Sequence, residues 1–329
     1  MISKVSIRNR LCLLVLICQS IIAFSLKPEN TPLNNQSEAW WNDYLSDAPV
    51  KGRKILNVVK YNAWLKDFMT AHQDIFHSTL IGTEDQTEIF RLDSTAPADI
   101  KKLQSESRKI RVFLGSGVHG KEEMGPLIVR HILEELVQHK ELLRDVQFTV
   151  IPLINPYGQT HRIRGTSQSP DLNRSFGDKA WVNASRIVAD SLKHERFDLA
   201  IDLHGKRTSN GFFFIRGKDD HGIATKALQS VSPDIIMQSR SGTYPGYRGS
   251  SDGKDPKRYL LSSQGVATSQ NPNTFKSFLG TLGEPFTYTM EYPGLQSAEV
   301  QIYKARLLFF EMIRALQSHL SDSNQKKPA

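Results

Sequence analysis

The segment Phe197-Asp198-Leu199-Ala200-Ile201-Asp202-Leu203-His204 is a short apolar run that ends at a histidine. Its length and near-continuous hydrophobicity are typical of a strand that is buried on both faces. Two similar runs, residues 110–114 and 286–290, end shortly before His119 and Glu291 respectively. Three candidate strands are therefore each followed by a side chain that can take part in catalysis.

Candidate strands and helices alternate along most of the chain. The predicted strands are 110–114, 146–154, 199–203 and 286–290, and the predicted helices are 61–72, 124–138, 180–192 and 300–320. This alternation indicates an α/β fold, in which a twisted, mostly parallel or mixed central sheet is flanked by helices on both faces. Ligands of open α/β sheets bind at the carboxyl ends of the strands. We therefore expect His119, Asn155, His204 and Glu291, which each follow a strand candidate, to converge at that edge.

The N-terminal residues have the pattern of an export signal. Lys4, Arg8 and Arg10 precede an apolar stretch from 11 to 24, and small residues follow at the spacing that signal peptidase prefers. A membrane anchor is the alternative, but the stretch is interrupted at Gln19 and is short for a span. The predicted units are a signal peptide (1–25), a polar N-terminal arm (26–58), a catalytic domain (59–320) and a disordered tail (321–329).

The positions of the cysteines and the net charge indicate the cellular compartment of the protein and limit its expected binding partners. Cys12 and Cys18 both fall within the predicted leader, so the mature chain would contain no disulfide. That pattern favours a bacterial periplasm over a eukaryotic secretory route, with secretion into the medium as an alternative. The formal net charge is +8, and +5 without Lys4, Arg8 and Arg10. This surplus suits an anionic cell envelope, although a solvated surface that is merely basic is the simpler interpretation. No basic run with interleaved aromatics is present in the sequence, so we do not expect a nucleic-acid partner. We also expect no membrane span in the chain that remains after the leader is removed.

Four residues could build a catalytic metal site. His119 and Glu122 are separated by two residues, so one turn can present both side chains to one ion, and His204 would add a second imidazole. Two histidines and a carboxylate are the ligands of an open zinc site with water in the fourth position. Glu291 could accept the proton of that water. Each residue has an ordinary alternative: a loop histidine beside a surface acid (with Glu123 as a competing ligand), a core histidine, or a salt-bridged glutamate.

Polar residues between these ligands could bind the substrate. Arg164 could stabilise the oxyanion that forms when water attacks a carbonyl. Asn173 and Arg174, in Asp171-Leu172-Asn173-Arg174, could hold a substrate carboxylate. Asp202 could orient the His204 ring. The segment 155–158, Asn-Pro-Tyr-Gly, is otherwise an ordinary turn sequence.

In order, these segments resemble the zinc metallocarboxypeptidase family (the funnelins), and especially its shorter bacterial members, which include murein-peptide amidases. The pattern of that family is His-x-x-Glu, Asn-Pro-Asp-Gly, an arginine, Asp-Leu-Asn-Arg-x-Phe, a histidine after a strand and a late glutamate after another strand. The resemblance covers roughly residues 61–320. It implies one zinc ion bound by His119, Glu122 and His204, with Glu291 as the general base and later the acid.

The resemblance also assigns substrate-binding roles. It implies that Arg164 polarises the scissile carbonyl, while Asn173 and Arg174 grip the free carboxylate of the substrate. Two departures from the pattern bear on strict C-terminal exopeptidase action: Tyr157 replaces an aspartate, and Ser169-Pro170 stand where Gly-Val is usual. The substrate-capping tyrosine of the family has three candidates here, Tyr244, Tyr247 and Tyr259.

We therefore predict an exported, zinc-dependent metallocarboxypeptidase or amidase that hydrolyses a peptide amide near a free carboxylate. A murein peptide is the preferred substrate. One alternative is an N-acyl amino acid deacylase similar to aspartoacylase and succinylglutamate desuccinylase. Another is a module that binds peptide termini without cutting them. The specificity pocket is expected between Ser239 and Lys276, while the side-chain preference and the oligomeric state stay open.

Overall fold

A mixed eight-stranded sheet forms the centre of the computed structural model, which describes residues 39–46, 54–96, 108–177, 181–218, 220–237, 265–269, 271–283 and 285–325. The strands are β1 (Phe76–Glu84), β2 (Thr87–Ser94), β3 (Ile110–Ser116), β4 (Val146–Ile151), β5 (Leu199–Lys206), β6 (Phe213–Arg216), β7 (Val266–Thr268) and β8 (Phe286–Pro293). The helices are α1 (Val58–Ala71), α2 (Met124–Gln138), α3 (Pro156–His161), α4 (Asn183–Leu192), α5 (Ile223–Leu228), α6 (Phe275–Leu279) and α7 (Ala298–Gln325).

The order of the strands across the sheet is β1-β2-β4-β3-β5-β8-β6-β7. The central strands β4, β3, β5 and β8 are mutually parallel, whereas β2 pairs antiparallel with β4 and β6 pairs antiparallel with β8. The predicted α/β class, with a mixed sheet between helices, is therefore confirmed. The hairpin of β1 and β2 and the short strands β6 and β7 were not predicted from the sequence.

Alternating side chains of the central strands enter two separate cores. In β3, Val112 and Leu114 join a large cluster with α1, α2, α5 and α7, while Phe113 joins a second cluster with α4 and α6. In β5, Leu199 and Ile201 face the first core and Ala200 faces the second. A strand that is buried on both faces must be apolar at successive positions, which is why these segments read as continuous hydrophobic runs.

The predicted N-terminal arm contributes to the larger core. Trp40 and Trp41 are buried, and the guanidinium of Arg130 lies 4.2 Å from the centroid of the Trp40 ring and 4.1 Å from that of Tyr44. Cation–π contacts of this kind contribute about 0.5–2 kcal/mol each. The residues around 40–45 are thus tied to α2 as part of the folded domain.

Several predicted boundaries differ from those of the structure. The helix α7 continues to Gln325, five residues beyond the predicted end, and α4 begins at Asn183 rather than at residue 180. The strand predicted to run from 146 to 154 ends at Ile151. The predicted signal peptide, 1–25, lies outside the described residues. Within the described segments, none of the helices combines the length and hydropathy needed to cross a bilayer.

Candidate metal site

A single turn after β3 presents His119 and Glu122 to the same point. The backbone N–H of Glu122 donates to the carbonyl of His119 at 3.2 Å, which closes the turn. Gly120 is required there, because a Cβ at this position would lie 1.8 Å from the carbonyl carbon of Gly158. Gly117, just before the turn, has a φ of 71°, a conformation that favours glycine. The predicted one-turn geometry of the His-x-x-Glu segment is confirmed.

His204 and Glu291 lie within neighbouring parallel strands and are register partners. His204 is in β5 and Glu291 is in β8, each two residues before the end of its strand. The sequence analysis predicted that His204 and Glu291 follow their strands, and this was wrong by a few residues. The last residues of each strand are polar or small, so they do not continue the apolar pattern from which the strand was predicted. Since side chains alternate between faces, Asp202 and His204 point to the same side of the sheet.

Nitrogen and oxygen atoms of His119, Glu122 and His204 gather within 4.8 Å of one another. The Nδ1 atoms of the two rings are 3.0 Å apart, and the Glu122 carboxylate lies 2.8 Å from His119 Nδ1 and 3.0 Å from His204 Nδ1. A tetrahedral ion with bonds of about 2.0–2.1 Å would need ligand atoms roughly 3.3 Å apart. The three side chains therefore fit a divalent metal ion, with both imidazoles coordinating through Nδ1.

The other nitrogen of each ring contacts a carboxylate. His119 Nε2 lies 3.1 Å from Asp171 Oδ1, and His204 Nε2 lies 2.8 Å from Asp202 Oδ2. Such carboxylate partners fix the tautomer of a metal-binding histidine and increase its basicity. The hypothesis that Asp202 orients His204 is confirmed. The contact of Asp171 was not predicted, although this residue opens the Asp-Leu-Asn-Arg segment that the sequence singled out.

The carboxylates around the two rings favour a cation. Burial alone would raise the pKa of Glu122, but His119 and His204 lower it below the usual range of a glutamate. Burial opposes protonation of His204, but the carboxylates of Asp202 and Glu122 raise its pKa well above the usual value. These interactions favour a positive charge between the rings and the carboxylates, which a metal ion can supply.

A cavity of about 270 Å³ joins the metal-binding residues to the other predicted site residues. Its lining includes all seven of them: His119, Glu122, Arg164, Asn173, Arg174, His204 and Glu291. These residues span more than 170 positions of sequence, so they can meet in one cavity only if the strands and loops are arranged as the sequence analysis predicted. The structure places every one of them at the carboxyl end of the parallel strands, as expected for this fold class.

The remaining side chains of the cavity hold one another in place. Arg164 Nε donates to Asp171 Oδ2 at 2.8 Å, so one carboxylate joins the arginine to His119. Asn173 Oδ1 accepts from the backbone N–H of Phe275 at 2.8 Å, which attaches α6 to the wall of the site. Burial raises the pKa of Glu291 to about 7, with the His204 ring opposing the shift and the Glu122 carboxylate adding to it.

Two amides act as supports of the site. Asn155 is fully buried; its Oδ1 accepts from Gly158 N at 2.7 Å, and its Nδ2 donates to Val118 O and Gly165 O. Gln159 Nε2 donates to the carbonyl of His119 at 3.1 Å. Asn155 was expected to join the site at the strand ends, but it does not line the cavity and ties three loops together instead. The candidate capping tyrosines Tyr244, Tyr247 and Tyr259 lie outside the described residues.

The sequence matches one known domain family over part of its length. Residues 108–246 match the succinylglutamate desuccinylase/aspartoacylase catalytic domain. The match contains the metal-binding cluster and the Asp-Leu-Asn-Arg segment, and it ends before α6 and Glu291. It therefore links the first six of the seven site residues to a hydrolase family.

The fold is similar to those of solved metallopeptidase structures. A candidate metallopeptidase from Shewanella amazonensis superposes with a TM-score of 0.63 at 18% identity, covering 83% of this chain and 98% of that one. The metallo-carboxypeptidase from Burkholderia cenocepacia gives 0.57 at 16% identity, with 78% and 68% covered. Carboxypeptidase A from Helicoverpa armigera gives 0.56 at 16% identity, with 83% and 77% covered. Family match and fold together support a hydrolase, and the chain has the metallocarboxypeptidase-like fold.

Proposed function

We propose that this protein is a zinc-dependent metallocarboxypeptidase that hydrolyses a peptide amide next to a free carboxylate. The observation that carries the proposal is the shared cavity, in which a metal-binding cluster, a glutamate and two arginines lie together. His119, Glu122 and His204 would hold one zinc ion. The bound ion would supply Lewis-acid activation of a water molecule and of the scissile carbonyl.

Glu291 is placed to move the proton of the reaction. Its carboxylate lines the cavity beside the metal-binding cluster, and its pKa of about 7 is raised by burial. A base whose pKa lies near the working pH can accept a proton and then return it. Glu291 therefore takes the proton of the attacking water and delivers it to the leaving amine.

The arginines and Asn173 orient the substrate. Arg164 pairs with Asp171, whose other oxygen contacts the His119 ring, so its side chain lines the cavity near the metal-binding cluster and can stabilise charge on the carbonyl oxygen. Arg174 is exposed at the cavity, next to the buried Asn173. A guanidinium and an amide side by side can grip a terminal carboxylate by charge-assisted hydrogen bonds.

The setting of the reaction is part of the proposal. The leader-like residues 1–25 and a mature chain without cysteine favour export to a bacterial periplasm. A murein peptide, which would meet the enzyme there, is the preferred substrate. Release of a C-terminal amino acid from muropeptides, followed by mass spectrometry, tests this assignment directly.

The variant Glu291→Gln tests the role of the base. We expect at least about 100-fold lower kcat with unchanged zinc content, because general acid–base catalysis contributes about 10²–10⁴-fold. The matched control is Glu299→Gln, which alters an exposed glutamate at the start of α7. Near-normal turnover by zinc-loaded Glu291→Gln would refute the proposed mechanism.

A second hydrolytic function is favoured by the family match. Succinylglutamate desuccinylase and aspartoacylase, by their names, act on acyl derivatives of glutamate and aspartate, and residues 108–246 match their catalytic domain. N-succinylglutamate and N-acetylaspartate should therefore be assayed beside the peptides. Turnover of these compounds alone would assign the chain as a deacylase. Tight peptide binding without turnover of any substrate would assign it as a non-catalytic binding module.

A further inference from the structure

A buried lysine, Lys276, lies in the wall of the cavity that also contains the metal-binding cluster. Lys276 belongs to the short helix α6, which starts at the Thr274 cap and is attached to Asn173 through Phe275 N. Its side chain is only 3% exposed, yet it lines the same cavity as Glu291. The mechanism proposed above gives this cation no role.

Two carbonyl oxygens bind the ammonium group of Lys276. Nζ donates to Ser269 O at 2.8 Å and to Arg216 O at 3.3 Å. An ammonium has three N–H donors, so one remains for another acceptor. Across the described residues, Lys276 forms no ion pair with a carboxylate. Its charge is therefore held by neutral groups at the edge of a cavity.

A buried charge without a counter-ion is unfavourable. Burial lowers the pKa of Lys276 to about 8, although the carboxylate of Asp202 opposes the shift. The lysine is still mostly protonated at neutral pH. The described lining of the cavity also includes the uncharged residues Ile215, Ser269 and Thr289. An anionic group entering here would gain a charge-assisted hydrogen bond from an ammonium that no carboxylate of the described residues contacts.

Lys276 Nζ contacts β6 at a level that is displaced from that of Glu291 along the strand. Phe213 is the register partner of Glu291, and Arg216, which accepts from Nζ, lies three residues further along β6. That separation is roughly 10 Å along the strand. From a scissile carbonyl carbon, the side-chain carboxylate of a departing glutamate extends roughly 6 Å. A hydrogen bond of about 2.8 Å then reaches the ammonium.

We propose that Lys276 makes the site selective for substrates whose released amino acid carries a second carboxylate, on its side chain. Asn173 and Arg174 hold the α-carboxylate, and Lys276 holds the side-chain carboxylate at the far end of the cavity. Glutamate fits this spacing better than aspartate, whose side chain is one bond shorter. This inference rests on the proposed function, because it assumes that an amide beside a free carboxylate is cleaved.

The test compares blocked dipeptides that differ only in the C-terminal residue: Glu, Gln, Asp and Lys. With the zinc-loaded full chain, we expect kcat/KM for Glu to exceed that for Gln by roughly 10- to 100-fold, the range for hydrogen bonds to charged groups. Lys276→Met should remove this preference, and Lys276→Glu should shift it toward the substrate ending in Lys. The matched control, Lys226→Met, changes an exposed lysine of α5 and should retain the preference.

Equal turnover of the Glu and Gln substrates by the unaltered protein would overturn the inference while leaving the peptidase function intact. A preference that survives in Lys276→Met would also overturn it. Failure to cleave any peptide would contradict the proposed function instead. In that case, the affinities of the protein for free glutamate and free glutamine, measured by calorimetry, test whether Lys276 binds a side-chain carboxylate. At least tenfold tighter binding of glutamate, lost in Lys276→Met, supports the inference, and equal binding of the two overturns it.

Discussion

Asp171 connects the metal-binding His119 to Arg164. The variant Asp171→Asn should show how much this carboxylate contributes to zinc affinity and how much to catalysis. Its carboxylate oxygens contact His119 Nε2 at 3.1 Å and Arg164 Nε at 2.8 Å. Asparagine keeps the size of the side chain but removes the charge, and its single amide oxygen can replace only one of the two carboxylate acceptors. One substitution therefore weakens the support of a metal-binding histidine and the position of an arginine together.

The two effects should differ in size. Loss of the carboxylate partner of a metal-binding histidine typically lowers metal affinity 10- to 100-fold, which corresponds to about 1.4–2.7 kcal/mol. The Arg164 side chain is 46% exposed, so solvent screens its ion pair with Asp171 and limits the contribution to about 1 kcal/mol. We therefore expect a large loss of zinc affinity and, at saturating zinc, only about a fivefold lower kcat/KM.

The variant Asp202→Asn is the matched control. Asp202 supports His204 at 2.8 Å as Asp171 supports His119, but among the residues that the structure describes its side chain hydrogen-bonds to that ring alone. Competition with a chromophoric chelator would measure zinc affinity. Steady-state kinetics at saturating zinc would measure the loss of kcat/KM that follows from the weakened position of Arg164. We expect both variants to bind zinc more weakly and only Asp171→Asn to keep a kinetic defect. Unchanged zinc affinity in Asp171→Asn would refute the assignment of His119 as a ligand.

Two further predictions concern stability. Gly120→Ala should lower the free energy of unfolding by at least about 2 kcal/mol in urea titrations, because its Cβ would meet the Gly158 backbone at 1.8 Å. Gly125→Ala, whose Cβ would meet nothing closer than 3.5 Å, should have a much smaller effect, and equal losses would contradict this explanation. Burial, and secondarily the charge of Asp85, raises the pKa of the Glu84 carboxyl to about 7. Because the unfolded chain gives up this proton near pH 4.5, stability should fall by about 1–3 kcal/mol as pH rises from 4.5 to 7 and then level off. Glu84→Gln should lack this decrease, and a wild-type curve that is flat over this range would disprove the shift.

The position of the site could be predicted because the chemistry follows the strands. Parallel strands that are buried on both faces leave a clear hydrophobic signal, and the polar residues that interrupt it must serve a function or be paired. His119, His204 and Glu291 were found in this way and converge at one cavity. The edge hairpin of β1 and β2 was missed, because its strands mix exposed and buried positions and lack such a signal.

The sequence alone determined which side chains could carry the chemistry, since residue types and their order along the chain are fixed before folding. The tertiary structure alone decided which partners each of them meets. Asp171 faces His119, Asn155 supports loops rather than the substrate, and Lys276 lines the cavity with its ammonium bound to two carbonyl oxygens. These contacts join residues from different strands and helices. Their distances depend on how the sheet brings those elements together, which no local pattern of residues records.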